Sequence, residues 1–236
     1  MTSMSSAVEP SEPSYRVVAI DKTRADELVA LRKRCYALSK SFEWFDERAL
    51  EWSEDDAASV VLGVLDAGGA LVSTVRSTIR RDRDEVESML MYSTHGVPAR
   101  FPALVGARSA TEPTHARHGL AGVMRWVIVS QARRLKMASI TAVVYDDAPR
   151  VRSMLAQGYE FHDPPRHWDR EARLRARPII ISMPAANYAQ SLAAIEAQLG
   201  AALGRASIDA AGIDSAFDRH AASVDLEGPA AAGTSG

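Results

Sequence analysis

The chain holds one cysteine, Cys35, so it can build neither an intrachain disulfide nor a cysteine-ligated zinc site, and this usage suits a reducing cytoplasm. It also lacks any apolar run of the roughly 18–20 residues that a membrane helix needs. The stretch Pro178-Ile179-Ile180-Ile181 has the length of a strand. An excess of charge of one sign is missing too. With 28 basic and 30 acidic residues the formal net charge is -2, which excludes the strongly basic surface of a general nucleic-acid binder. Met1-Thr2-Ser3-Met4-Ser5-Ser6 carries neither the basic start nor the apolar stretch of a secretion signal. The expectation is a cytoplasmic chain with no integral membrane association.

What is present suffices for a sizeable core: 236 residues, 47% of them hydrophobic. Residues 1–14, rich in Ser, Pro and Glu, read as a disordered tail. Residues 15–203 read as one domain, and 204–236, rich in Ala, Gly and Ser, as a disordered tail. Tyr15 to Ile20 suggests a strand, followed by a helix with Leu28, Leu31, Cys35 and Leu38 at helical spacing. Val60 to Asp66 and Leu71 to Ile79 flank Ala67-Gly68-Gly69-Ala70 and predict an antiparallel hairpin. Further strands are expected at Leu104 to Thr111, Ser139 to Tyr145 and Ile179 to Ile181. From Gly119 a helix is expected with Leu120, Val123, Met124, Val127 and Ile128 on one face.

Ala116-Arg117-His118-Gly119-Leu120-Ala121-Gly122 is the stretch that carries chemistry. A glycine turn that opens a helix leaves several backbone N–H groups unpaired at the positive end of the helix dipole, where a phosphate binds well. The plainer reading is that Gly119 simply starts a well-packed helix. Five histidines lie in expected loops or turns: His95, His115, His118, His162 and His167. None pairs at a convincing metal-ligand spacing, and Cys35 falls on an apolar helix face where packing is its expected role. No metal site is expected.

Arg108-Ser109-Ala110-Thr111-Glu112-Pro113, then the Gly119 turn and its helix, then Ser139 to Tyr145, then Gln157-Gly158-Tyr159 follow in order strand, phosphate turn, helix, strand, closing glycine. This series resembles the acyl-carrier-binding core of the GNAT N-acyltransferases. The first half of the chain resembles a narrower group with that fold, the long-chain N-acyl amino acid synthases and acyl-homoserine-lactone synthases. It does so through Arg32, Cys35-Tyr36, Phe42, Glu43-Trp44-Phe45-Asp46, Val72-Ser73-Thr74-Val75-Arg76, Arg100-Phe101-Pro102 and Arg108. The resemblance covers about Tyr15 to Phe161. It departs from the wider pattern at Met154, where many GNATs place a tyrosine, and at Val105-Gly106-Ala107, where many place a glutamate. Val105 in place of a glutamate also sets the chain apart from the homoserine-lactone synthases.

The resemblance implies an α/β fold, with a central mixed sheet flanked by helices on both faces and splayed between the strands at Arg108 and Val143. It implies that Arg117, His118, Gly119, Leu120, Ala121 and Gly122 hold the donor's phosphate. The thioester carbonyl would meet a backbone N–H near Ala110 and Thr111, beside Arg108, with Glu112 or His115 as base. Arg32, Asp46, Arg76 and Arg108 would form a charged network that orders the N-terminal segment and helps hold the acceptor's carboxylate. Tyr36, Phe42, Trp44 and Phe45 would line the acyl channel or its lid. The donor would be acyl-CoA or an acyl-acyl carrier protein, and the acceptor a small amine such as an amino acid. Two other functions stay open: an ordinary acetyl-CoA-dependent N-acetyltransferase, and a domain that binds an acyl thioester without turning it over.

Overall fold

A computed structural model describes residues 14–44, 46–98, 100–148, 151–163 and 173–224, with 42–44 and 173–174 described by their backbone alone. The strands are β1 (Tyr15–Ile20), β2 (Phe42–Trp44), β3 (Val60–Asp66), β4 (Leu71–Arg80), β5 (Ala103–Thr111), β6 (Ser139–Tyr145), β7 (Glu160–His162), β8 (Arg173–Leu174), β9 (Pro178–Pro184) and β10 (Ala206–Ile208). The α-helices are α1 (Ala25–Ala37), α2 (Glu54–Ala57), α3 (Arg83–Leu90), α4 (Leu120–Arg134), α5 (Val151–Ala156), α6 (Tyr188–Gly204) and α7 (Ala210–Ser223).

Eight strands form one mixed sheet in the order β10-β1-β3-β4-β5-β6-β9-β7, while β2 and β8 pair in a separate ribbon. The β-branched runs of β3 and β4 suit a sheet covered on both faces, and every residue from Leu71 to Ile79 is buried. On one face α4, α5, α6 and α7 share a continuous core with the sheet, including Val123, Val127, Met154, Ile195 and Phe217. On the other face α1 buries Leu28 and Leu31 against Val61 and Leu65, and α3 buries Val86 and Leu90 against Ala103 and Val105. This is the α/β architecture, helices on both faces, that the sequence leads one to expect.

The C-terminal region corrects the sequence reading. From 204 to 224 the chain is ordered structure, not a tail: β10 pairs in parallel with β1, and α7 buries Ile213 and Phe217 completely. Alanine and glycine dilute the helical periodicity there, so only three large anchors mark it. The third is His220. β3 pairs with β4 only as far as Ser77, and beyond it the His220 Nε2 accepts the N–H of Ile79 at 2.8 Å. A side chain from α7 thus satisfies a buried sheet amide that no strand reaches.

Burial, aided by the Arg80 charge, pushes the His220 imidazole down to about 4. The folded chain keeps it neutral while the unfolded chain takes a proton below about 6.5. More protons on the unfolded state mean that stability falls as pH drops through this window. Denaturant unfolding should show a loss of about 2 kcal/mol between about pH 7 and pH 5 that His220→Gln abolishes. An identical pH slope in the two proteins would assign those protons to other groups.

Candidate active site

The parallel pairing of β5 with β6 runs from Ala103 with Ser139 to Gly106 with Ala142, and there it ends. Past that point, among the described residues, each strand is held on its outer side alone. β5 continues along β4 as far as Thr111 opposite Ser73, and β6 continues along β9 as far as Tyr145 opposite Pro178. The sheet therefore splays between Arg108 and Val143. A bulge sits at the fork: Arg108 and Ser109 together oppose Val75, and Arg108 adopts a left-handed φ of 52°. An extra residue on one strand raises the local twist and turns β5 away from β6.

A cavity of about 140 Å³ fills the fork. Its walls come from both sides of the sheet, with Met124, Arg125 and Ile128 of α4 on one side and Tyr36 of α1 on the other. β5 contributes Gly106, Ala107, Arg108 and Ser109, and β6 contributes Val143 to Tyr145. The residues expected at the thioester carbonyl lie one step beyond this wall. Ala110 is buried, with its carbonyl accepting from Ser73 Oγ at 3.0 Å, and the Thr111 hydroxyl meets the same Ser73 Oγ at 2.7 Å. The bulge shifts the accessible backbone of β5 toward Ala107–Ser109, a shift that uniform alternation along a strand does not reveal.

The α4 N-terminus stands at the cavity through Ala121. Among the described residues the backbone N–H groups of Arg117, Gly119, Leu120 and Ala121 have no backbone acceptor, while those of Gly122 and Val123 bond back to Gly119. Gly119 caps the helix at a φ of 80°, and a Cβ there would stand 2.8 Å from Ala202 Cβ. A Cβ on Gly122 would stand 2.1 Å from Leu199 Cδ1. Both glycines thus let α6 close on the first turn of α4, which is the plainer reading of Gly119, and the free amides remain on the open side.

The two base candidates are already engaged. Glu112 accepts from Arg34 Nη2 at 2.8 Å and Nε at 3.1 Å. His115 Nδ1 lies 3.1 Å from the Tyr15 hydroxyl, which also bonds His118 Nδ1. Neither Glu112 nor His115 lines the cavity. Burial, together with the charge of Glu112, pushes the Cys35 thiol up to about 11, so it packs as an inert side chain.

The charged network exists, with a different acid. Asp46 accepts from its neighbour Arg48 and caps a short 3-10 turn at Glu47–Leu50, away from the arginines of the network. The acid at the centre is Asp56. Arg32 Nη1 and Nη2 donate to its two oxygens at 2.9 and 2.7 Å, and both side chains are wholly buried. Burial alone raises the Asp56 carboxyl. The Arg32 hydrogen bonds and charge, with Arg76 and the Ser53 N–H behind them, overrule that and hold it below the ordinary value. Arg76 Nη1 stands 3.5 Å from Asp55 and 3.8 Å from Asp56, and burial and the Arg108 charge bring its guanidinium down to about 10. Arg108 lines the cavity and, among the described residues, has no carboxylate within 4.0 Å. Burial, then the Arg32 charge, lower it as well.

Of the expected ligand-binding side chains, Tyr36 and Arg108 reach the cavity, while Arg32 is committed to Asp56. The side chains of Phe42 and Trp44, and all of Phe45 and His167, lie outside the described residues. Sequence reasoning missed Asp56, Arg125, Ser109 and Tyr145. Only Asp56 carries a signal, as the fourth residue of Ser53-Glu54-Asp55-Asp56, where the Ser53 N–H donates to it at 3.2 Å in the manner of a capping box.

Asp56→Asn leaves the Arg32 charge buried without compensation and should cost about 3–5 kcal/mol of unfolding free energy. Asp46→Asn should leave the denaturation midpoint where it is. Equal midpoints for Asp56→Asn and the unmodified chain would remove Asp56 from the centre of the network.

No family model matches the chain, and no curated protein matches it. Solved structures do. FeeM, an N-acyl amino acid synthase from uncultured soil microbes, superposes with a TM-score of 0.53 at 12% identity, over 76% of this chain and 98% of that one. An N-acetyltransferase from Staphylococcus aureus gives a TM-score of 0.53 at 8% identity, over 73% and 98%. The AHL synthase LasI gives 0.50 at 13% identity, over 72% and 89%. The splayed mixed sheet, covered by helices on both faces, is the GNAT fold.

Proposed function

We propose that the chain is an N-acyltransferase that moves an acyl group from a phosphopantetheine thioester to the amine of a small acceptor bearing a carboxylate, as an amino acid does. The observation that carries this reading is the forked cavity, with free helix amides at one edge and the Arg108 guanidinium at another. The donor is acyl-CoA or an acyl-acyl carrier protein. Its phosphate is held by the amides of Arg117, Gly119, Leu120 and Ala121 at the positive end of α4, and the Arg117 and His118 side chains flank that turn.

The amide-bearing arm lies in the fork, where the inner edges of β5 and β6 have no partner strand among the described residues and offer it backbone hydrogen bonds. The thioester carbonyl meets the backbone of the Ala107–Ser109 bulge, whose N–H stabilises the negative oxygen formed when the amine attacks. No enzyme nucleophile is required. Arg108 holds the acceptor's carboxylate, and Arg76 and the Arg32–Asp56 pair support it from behind. Ser41 Oγ donates to Asp147 Oδ1 at 2.8 Å and ties the residue before β2 to the loop after β6.

A cavity of about 140 Å³ matches the volume that takes a benzene-sized group. No described helix is long and apolar enough to cross a membrane.

The test is thiol release from CoA thioesters of increasing length and from acyl carrier protein, with amino acids set against matched amines that lack the carboxylate. Turnover should need a carboxylate-bearing amine. Ala121→Asp places an anion in the first turn of α4, where the dipole welcomes it, so the fold persists while donor KM rises about tenfold. Donor binding with no thiol release from any amine would leave a thioester-binding domain in place of an enzyme.

A further inference from the structure

Three side chains outside the cavity turn their polar atoms toward one point. Tyr15 opens β1 and is buried, while His115 and His118 lie in the turns ahead of α4, the first half-buried and the second exposed. Their rings stand almost equidistant. The centroids are 5.8 Å apart for Tyr15 and His115, 5.9 Å for Tyr15 and His118, and 5.8 Å for the two imidazoles. The ring planes cross at 80°, 62° and 76°, an arrangement like the blades of a propeller. At its centre the Nδ1 atoms of both imidazoles meet the Tyr15 hydroxyl, that of His115 at 3.1 Å.

Hydrogen bonding accounts for part of this. A phenol has one hydrogen to give, so it donates to one Nδ1 and can only accept from the other, which ties the two imidazoles to opposite tautomers. Three lone-pair atoms converging on one point serve a cation better. Around a tetrahedral zinc, with bonds of about 2.0–2.1 Å, neighbouring ligand atoms stand about 3.3–3.4 Å apart. The Tyr15–His115 separation is close to that, and His118 is exposed, so its ring can draw back without disturbing the core. The backbone beneath is fixed in advance. Tyr15 is paired with Asp66 of β3 on one side and Ala206 of β10 on the other, and the His118 N–H bonds the His115 carbonyl at 3.4 Å. The spacing of the two histidines gives no ligand set by itself, because the third ligand arrives from 100 positions away.

We propose that Tyr15, His115 and His118 bind a zinc ion through the Tyr15 oxygen and the two Nδ1 atoms, with a fourth position left to water. Two imidazoles with one oxygen donor suit zinc, whereas magnesium and calcium take sites built of oxygen alone. Binding releases a proton. Both Nδ1 atoms offer lone pairs, so each imidazole keeps its hydrogen on Nε2, and the phenol gives its proton to solvent as its oxygen bonds the ion. The ion clips the start of β1 to the turn ahead of α4. None of the three residues lines the cavity, so the inference stands independently of the acyltransferase reading.

The test is a titration of the full chain with zinc chloride near neutral pH, followed by near-ultraviolet difference absorption and by calorimetry. One zinc should bind per chain, and one tyrosinate should appear with it although phenols are ordinarily protonated there. Magnesium chloride should produce no tyrosinate. Tyr15→Phe keeps the ring and its packing and removes the oxygen ligand, so the tyrosinate signal should vanish and zinc should bind at least about tenfold more weakly. His115→Ala, a change outside the core, should weaken zinc by a similar factor. A wild-type chain that forms no tyrosinate with zinc in excess overturns the site and leaves the three rings as a hydrogen-bonded knot. Zinc that binds the wild type and both variants with equal affinity sits elsewhere and overturns the assignment too.

Discussion

The parallel ladder between β5 and β6 stops after four residue pairs, and the site depends on that stop. Backbone amides inside a sheet must find partners, so a fork within a buried sheet is tolerated only where something else meets its edges. The outer ladders to β4 and β9 hold each arm rigid, which fixes the width of the gap. Gly106 and Ala142 sit at its base, and a Cβ on Gly106 would stand 3.6 Å from the Cβ of Ala142, an ordinary contact. Bulk at the fork therefore does not force the strands apart. The Arg108 bulge does so, by turning β5 out of register with its neighbour.

The same bulge brings Arg108 to a region that already holds Arg32 and Arg76. Burying such a concentration of cations carries a large desolvation penalty, and Asp56 offsets it by accepting both terminal nitrogens of Arg32. One consequence concerns position: Tyr36 lies four residues after Arg32 on α1, one helical turn along the same face. The buried ion pair thus fixes the turn of α1 that presents Tyr36 to the cavity. The other concerns charge. Asp56 is shared between Arg32 and Arg76, Asp55 faces Arg76 alone, and the surplus positive potential falls on Arg108 at the cavity wall. A carboxylate entering the cavity meets that potential in a partly dry site, where it is weakly screened.

The fold was legible because its signals are periodic or local. The hairpin of β3 and β4, the start of α4 after Gly119 and the β-branched run of β6 each follow from residues near in sequence. α7 was not, since alanine and glycine flatten its pattern and the anchors Ile213, Phe217 and His220 gain meaning only against β1 and β4. The site was legible in its backbone parts and much less in its charges. Arg32, Arg76 and Arg108 stood out as residue types, but which acid answers them is a matter of packing between α1 and α2. Asp46 lies in the expected motif and yet pairs with Arg48 two residues away, whereas Asp56 reaches Arg32 across 24 positions. Ion-pair partners at that separation leave no trace in spacing.

The turn at Gly119 shows why the packing and binding readings of one motif need not compete. Gly119 is required where Ala202 of α6 presses against the backbone, and a side chain on Gly122 would displace the Leu199 side chain that packs there. The free amides depend on a different fact: Gly119 has no side chain to cap the first turn, and its carbonyl answers only Gly122 and Val123. One side of the turn is therefore closed by apolar contact and the other is left with unsatisfied donors. Closing the first side helps the second, because α6 excludes water from behind the turn and holds the donors at a fixed spacing. The donors at the cavity edge are thereby aligned in the folded chain, with no ordering left to complete.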